Sequence, residues 1–467
     1  MAAEAGAHKS EHEQGRRRGE LQILTGSLWR NIPLFALPVA LTGILEQLSN
    51  LISVVMVGHF TGDGGALGMA AVGSNTPISS LILNLFIGVA LGSNVVIANA
   101  IGAGDEATVR RASHTSVAMA ALGVVVTILG ELAAAPLLHL LNVPPDAFDL
   151  ALLFFRIYLL GMPSILLYNF EAAILRSIGV TKMPLQTLAF SAVLNVALDF
   201  AFIPGLGWGV AGSAIATVIS YTASAAILFW RLMRIDAPVR ITPSQIGIDR
   251  TVLGRIVRIG LPAGLQSAVF AVANVVIQSS INSLGTEVMA ASSAALSLEY
   301  VCYNLVNSFS QACTTFVSQN FGARNIGRCL ASFKVALAED LLVCGAMIAV
   351  LVVFGRQILS LFNGDPQVVS IGYVRVCYII PSYVFSLTYE NISGYLRGFG
   401  ISLTPALITT VCVCGSRFLW VLFVFPAHPT FATVMMIYPI SLALTCFSVF
   451  VALMVCRPAR VYGLRRA

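Results

Sequence analysis

Twelve stretches of this chain are apolar over at least the roughly 20 residues a helix needs to cross a bilayer. No other feature restricts the fold as much. Counted between polar or Gly/Pro breaks, they lie near 31–57, 68–100, 109–138, 147–178, 183–204, 210–233, 251–283, 289–321, 329–362, 367–398, 402–425 and 430–456. Several exceed a flat crossing, which implies tilt or protrusion. Charged residues make up 10% of the 467 and hydrophobic ones 57%, where a soluble domain carries about 25% charged. The expected fold class is an all-α integral membrane protein with twelve transmembrane helices. The net charge of +6 flanks apolar runs rather than forming a nucleic-acid face, so no nucleic-acid partner is expected. The nine Cys lie between Cys302 and Cys456 with no CxxC or Cys/His spacing, which argues against a metal centre or a disulfide framework. No GxxxxGK[ST] loop appears, so ATP is not the driving force unless a separate subunit supplies it. No Ser/His/Asp or paired-acid arrangement on soluble loops suggests an enzyme, and no cofactor is implied.

The Lys/Arg distribution sets orientation. One set of ends receives Arg16–Arg18, Arg110, Arg111, Lys182, Arg231, Arg234, Arg240, Arg250, Arg255, Arg324, Arg328, Arg397, Arg457, Arg460, Arg465 and Arg466; the other holds essentially Arg356. An even span count then places both termini in the cytoplasm. The N-terminal Met1–Leu21 is polar, has no apolar h-region and reads as a disordered tail rather than a signal peptide. Divided by its longest polar connection, the chain reads as a tail (1–28), a six-helix half (29–234), a linker (235–250), a second six-helix half (251–456) and a C-terminal tail (457–467).

The halves repeat. Leu175-Arg176-Ser177-Ile178-Gly179 matches Leu396-Arg397-Gly398-Phe399-Gly400 at an offset of 221, Asn99–Ala103 matches Gln319–Ala323 at 220, and Leu37-Pro38 matches Leu261-Pro262 at 224. Six spans per repeat is an even number, so the halves are parallel repeats about an axis along the membrane normal. Transporters of this kind bind substrate between lobes and alternate access by rocking them.

Polar groups inside the apolar runs are the candidate functional residues, because a charge there costs about 2.5–3.5 kcal/mol on insertion scales. Asn195 and Asp199 are four apart and share a helix face. Asp199 allows two readings: coupling to an ion or proton, with Na⁺ suited to one carboxylate joined by neutral oxygens such as those of Asn195 and Thr217, or a hydrogen bond that glues neighbouring helices. Glu299 lies mid-membrane at the head of a polar ladder that includes Tyr303, Asn304, Asn307 and Gln311. That ladder reads as a cation-attracting cavity wall, against an interhelical hydrogen-bond network. Glu171 and Glu390 stand near Arg176 and Arg397, as ion pairs of an inner gate or as ordinary interfacial snorkelling.

These residues carry a resemblance. Pro38 with Val57-Gly58, Ala70-Ala71-Val72-Gly73, Gly102-Ala103-Gly104-Asp105, Leu175–Gly179, Asn195–Asp199, Gly212–Thr217, Gln319–Ala323 and Leu396–Gly400 together resemble the multidrug and toxic compound extrusion (MATE) transporters over nearly the whole chain after the tail. The resemblance implies two pseudo-symmetric six-helix lobes around a V-shaped central cavity. It also implies export of organic, often cationic, small molecules driven by inward flow of Na⁺ or H⁺. The short tails favour a plasma (inner) membrane, and a monomer is expected. In relatives with a cation site in the N-terminal lobe, an Asp on helix 1, the Asn and Asp of helix 5 and a Thr on helix 6 line it. Asn195, Asp199 and Thr217 match three of these, and Ser53 stands where the helix-1 Asp is expected. Glu46, two turns earlier on a similar face, is a candidate replacement. The helix-10 Asp of some relatives is Ser386 here. The alternatives are a lipid-linked oligosaccharide flippase of the wider superfamily and a membrane receptor or scaffold that lost transport.

Overall fold

The computed structural model describes residues 21–61, 65–141, 143–361 and 365–464. Most of the tail assigned to 1–28, together with Arg465 and Arg466, lies outside the described residues. Among the described residues, twelve long helical passages follow one another, with a short helix, Pro458–Leu464, after the last. The first half contains α1 (Leu28–Phe60), α2 (Gly65–Ala103), α3 (Glu106–Leu140), α4 (Pro145–Leu160 continuing as Met162–Ser177), α5 (Lys182–Gly205) and α6 (Gly209–Arg234). The second contains α7 (Arg250–Asn282), α8 (Thr286–Gly322), α9 (Ile326–Ser360), α10 (Pro366–Gly398), α11 (Leu403–Ala427) and α12 (Phe431–Cys456). Among the described residues, ten of these are long and apolar enough to cross a membrane and α4 adds an eleventh as a bent pair. The remaining passage, α8, is diluted by its own polar ladder, which is why composition alone undercounts it.

The apolar runs 109–138 and 147–178 each form a broken helix. α4 bends by 47° between Leu160 and Met162, and α3 is interrupted after Met119. Pro163 has no N–H for the Leu159 carbonyl four residues back. The Thr127 hydroxyl of α3 donates to that carbonyl instead, at 2.6 Å, so the freed backbone acceptor is satisfied inside the membrane. Gly123 of α3 lies against Pro163, where a Cβ would come within 2.5 Å of the Pro163 Cα.

The repeat extends to backbone detail. Gly104 and Arg324, 220 apart, both adopt positive φ (71° and 62°), and Gly179 and Gly400 both sit at 81°. The residues that follow the first pair, Asp105 and Asn325, cap α3 and α9 by accepting the backbone N–H of Thr108 and Arg328, each at 3.0 Å. The halves meet along α2, which packs on α7 and α8, and along α1, which packs on α8. Gly88 and Gly92 of α2 face Gly264 and Gly260 of α7 so closely that a Cβ on Gly88 would lie 2.1 Å from the Gly264 nitrogen. Phe35 of α1 meets Phe316 of α8 edge-on, with ring centroids 5.9 Å apart. These contacts gather toward the arginine-rich end of the bundle.

The segment between α6 and α7 is fastened to α3. His114 accepts the Thr242 N–H at its Nε2 (3.0 Å), while its Nδ1 lies 2.7 Å from the Arg110 carbonyl oxygen. Thr115 accepts the Asp249 N–H at 3.1 Å, and Arg111 pairs with Asp249 at 3.4 Å. Ahead of α1, within the stretch assigned to the tail, Ile23 is buried and its carbonyl accepts Arg328 Nε of α9 at 3.1 Å.

Candidate functional site

Asp199 and Asn195 come from the same face of α5, Ser53 from α1 and Thr217 from α6, and the structure brings all four together. Ser53 Oγ lies 2.6 Å from Asp199 Oδ2 and 3.0 Å from Asn195 Oδ1. Asn195 Nδ2 lies 3.5 Å from Thr217 Oγ1, and Thr217 donates to the Ser213 carbonyl at 3.0 Å. Asp199 is fully buried, and its Oδ1 has no partner among the described residues.

The hydrogens of this cluster can be assigned. The Thr217 hydroxyl proton goes to Ser213, so Thr217 accepts from the Asn195 amide nitrogen, and Asn195 turns its oxygen toward Ser53. The single proton of Ser53 then has two oxygens to serve. If it goes to an ionised Asp199, the Ser53 and Asn195 oxygens face each other at 3.0 Å with no hydrogen between them. If Asp199 carries a proton, it donates to Ser53, Ser53 donates to Asn195, and the chain is satisfied as far as Ser213.

The cluster forms one wall of a cavity of about 220 Å³ in the first half, lined by Glu46, Asn50, Ser53, Asn75, Tyr158, Asn195, Thr217 and Tyr221. Asp199 stands behind Ser53 rather than on the surface of the cavity. Glu46 lies two turns from Ser53 on α1, on the cavity side. Arg176 of α4 interacts electrostatically with Glu46 and donates to Gln311 Oε1 of α8 at 3.2 Å, so it joins this cavity to the seam between the halves.

The α8 ladder divides. Glu299 is not on an open wall. It is buried and held by Arg375 of α10 through both carboxylate oxygens, and Arg375 Nη1 also reaches Ser292 Oγ at 2.5 Å. A cation-attracting role requires an unpaired charge, and Arg375 removes it. Asn304 lies against Gly43 of α1, where a Cβ would come within 2.0 Å of its Oδ1. Gln311 accepts from Arg176, Thr315 donates to Asn94 Oδ1 at 2.9 Å, and Gln319 donates to the Ser177 carbonyl at 2.6 Å. This part of the ladder is therefore a seam between halves. Tyr303 is exposed and Asn307 partly buried. Glu390 pairs with Arg397 at 3.4 Å, whereas both Glu171 oxygens are buried without a partner among the described residues.

Sequence reasoning passed over Arg375 and the buried carboxylates Glu339 and Asp340. The signal that singled out Asp199, a charge inside an apolar run, applies equally to all three.

A family model described as MatE matches residues 38–201 and 262–421. A probable multidrug resistance protein of Bacillus subtilis, YoeA, is 28% identical over 405 residues, which cover 83% of this chain and 85% of that one. A probable multidrug resistance protein NorM of Thermotoga maritima is 26% identical over 391 residues, 82% of each chain. Among solved structures, a crystal structure of MATE in complex with MaL6 superposes with a TM-score of 0.86 at 23% identity, covering 96% of this chain and 99% of that one.

Proposed function

This chain belongs to the MatE family, and from that premise we propose that it is a secondary active antiporter exporting organic, often cationic, compounds in exchange for protons. The arrangement that carries this reading is the Asp199–Ser53–Asn195–Thr217 chain, which has a donor for every acceptor from Asp199 Oδ2 to the Ser213 carbonyl when Asp199 holds a proton. Three neutral oxygens, from Ser53, Asn195 and Thr217, beside one carboxylate also suit Na⁺, so the two ions are tested against each other below. The protein works as a monomer in the inner membrane, with its arginine-rich end and both termini in the cytoplasm. The glycine contacts between halves gather at that end, so this conformation opens its central cleft outward.

Proton arrival at Asp199 completes the chain to Thr217 and draws α1 onto α5 and α6. Loss of the proton sets two oxygens against each other and loosens that packing. The cation substrate meets Glu46 and the amides of the cavity wall, and leaves as the proton enters. Coupling then follows from the repacking of α1, which carries both Ser53 beside the proton site and Glu46 on the cavity wall, so that protonation of Asp199 alters the site the cation meets.

Uptake of a fluorescent organic cation into inverted vesicles, with pH and Na⁺ gradients imposed separately, tests the proposal. A pH gradient should drive uptake, and Asp199→Asn should abolish it while expression is retained. Uptake driven by Na⁺ alone assigns the site to Na⁺, and full uptake by Asp199→Asn overturns its coupling role. Absence of transport under either gradient would favour a receptor or scaffold.

A further inference from the structure

We propose that Asp340, in the middle of α9, is a second proton-carrying site, sealed by the seam between the two halves. The part of this proposal that concerns sealing rests on the rocking mechanism above; the proton site does not.

Asp340 and Asn391 of α10 are both fully buried. One carboxylate oxygen of Asp340 accepts the Cys344 thiol at 2.9 Å, and the other accepts Asn391 Nδ2 at 2.6 Å. The second N–H of that amide goes to the Leu387 carbonyl at 2.9 Å. In this structure the two bonds hold the amide with nitrogen toward Asp340 and leave Asn391 Oδ1 buried with no partner among the described residues. The carboxylate therefore meets two neutral donors, and among the described residues no cation touches it.

The charged and titratable neighbours do not compensate it. On α10, Arg397 is taken by Glu390 at 3.4 Å and by Ser310 Oγ at 2.9 Å. On α9, Glu339 is buried with both oxygens unpartnered. From α8 Cys313 faces Asp340, and Cys302 faces Cys344. Three buried carboxylates against one guanidinium leave negative charge that a membrane interior does not sustain. A metal cation is a poor fit, because hard cations take several oxygens and the Asp340 oxygens are already occupied by S–H and N–H donors. A proton fits: it forms an O–H on Asp340, and rotation of the Asn391 amide presents the partnerless Oδ1 as its acceptor. Release returns the proton to water.

The seal comes from the other half. Cys344, Leu305, Val306 and Leu387 form one apolar cluster with Ala40 of α1. Ala40 belongs to the first half, so movement of α1 away from α8 and α9 uncovers the thiol and the acid behind it. Asp340 is then dry in this conformation and reachable in the other.

The Cys344 S–H stretch tests this, because its frequency reports its acceptor and the difference between wild type and Cys344→Ala isolates it from the other thiols. In the purified full-length protein the band should shift with pH as Asp340 gains its proton, and the shift should vanish in Asp340→Asn. That variant should also lose one titrating proton per chain in potentiometric difference titration. A band that ignores pH, or a shift that persists in Asp340→Asn, overturns the proposal. Should Asp340→Asn fail to fold, Asn391→Ala keeps the acid and removes the amide; its band midpoint should move, and an unmoved midpoint also overturns the proposal. Neither readout uses transport, so a failure of the Asp199 reading in vesicles is distinguishable from a failure here.

Discussion

Gly102 and Gly322 lie against each other's helices across the seam between the halves. A Cβ on Gly102 would lie 1.8 Å from the Gln319 carbonyl oxygen, and one on Gly322 would lie 2.0 Å from the Asn99 carbonyl oxygen. Asn99 and Gln319 are themselves a repeat pair at offset 220, as are the two glycines, so the local symmetry axis passes between them. The two copies of one sequence motif thus pack on each other.

Substituting either glycine by alanine should hold the seam open. The obstacle is backbone, which cannot rotate away, and overpacking of this kind costs about 1–3 kcal/mol. That is enough to shift a two-state equilibrium by roughly five- to 150-fold. Thiol labelling of a Thr315→Cys reporter on α8 should therefore accelerate in Gly102→Ala and Gly322→Ala relative to the reporter alone, and efflux should fall. Unchanged labelling would mean that the seam does not close this end.

Much of this architecture was readable because bilayer length and apolar runs bound each helix directly. The expected 183–204, 251–283 and 367–398 compare with the observed Lys182–Gly205, Arg250–Asn282 and Pro366–Gly398. The break in α4 has its sequence signal in Pro163, inside the run 147–178, but the partner of the Leu159 carbonyl it frees was not readable, because Thr127 belongs to a different helix. The Asp199 neighbourhood was legible because Asn195 stands four residues away on the same helix, with Thr217 on the next one. The state of Glu299 was not, because its partner Arg375 lies 76 positions later, and a charge alone in an apolar run gives no sign of whether another helix neutralises it.

The caps of α3 and α9 allow a pH prediction outside the membrane-spanning segments. Hydrogen bonds from the Thr108 side chain and backbone N–H hold the Asp105 carboxyl below the usual carboxylate range. A carboxyl lowered in the folded state contributes stability that is complete above its unfolded value, about 3.9. That contribution is lost as pH falls through the folded value. Asn325 performs the same capping at the repeat-related position without a charge. Asp105→Asn should therefore keep the neutral-pH melting temperature, since Asn caps about as well as Asp. It should also lose less stability than wild type on acidification from about pH 5 to 3. Asp249, lowered in the same direction by the N–H groups of Val252 and Thr251, leaves a residual slope. Thermal unfolding in detergent at both pH values checks this; a variant as acid-sensitive as wild type would rule out Asp105 as a source of that sensitivity.

Glu299 and Arg375 form a buried pair whose two halves should not be separable. Removing one partner strands the other charge in the second half, at about 3–5 kcal/mol, so Glu299→Gln and Arg375→Met should each lower stability strongly. Arg375 also contacts Ser292 and lies over the Tyr438 ring, with 5.9 Å to the centroid, so Arg375→Met should be the worse of the two. Removing both charges leaves nothing stranded, and replacing a whole buried pair by apolar groups of similar volume is often close to neutral. Glu299→Met combined with Arg375→Met should therefore recover most of the stability lost by the single variants, read as melting temperature by intrinsic fluorescence. Transport separates a structural pair from a cavity wall. A double variant that regains stability and still exports the cation shows that Glu299 serves packing, whereas recovered stability without export would return Glu299 to substrate recognition.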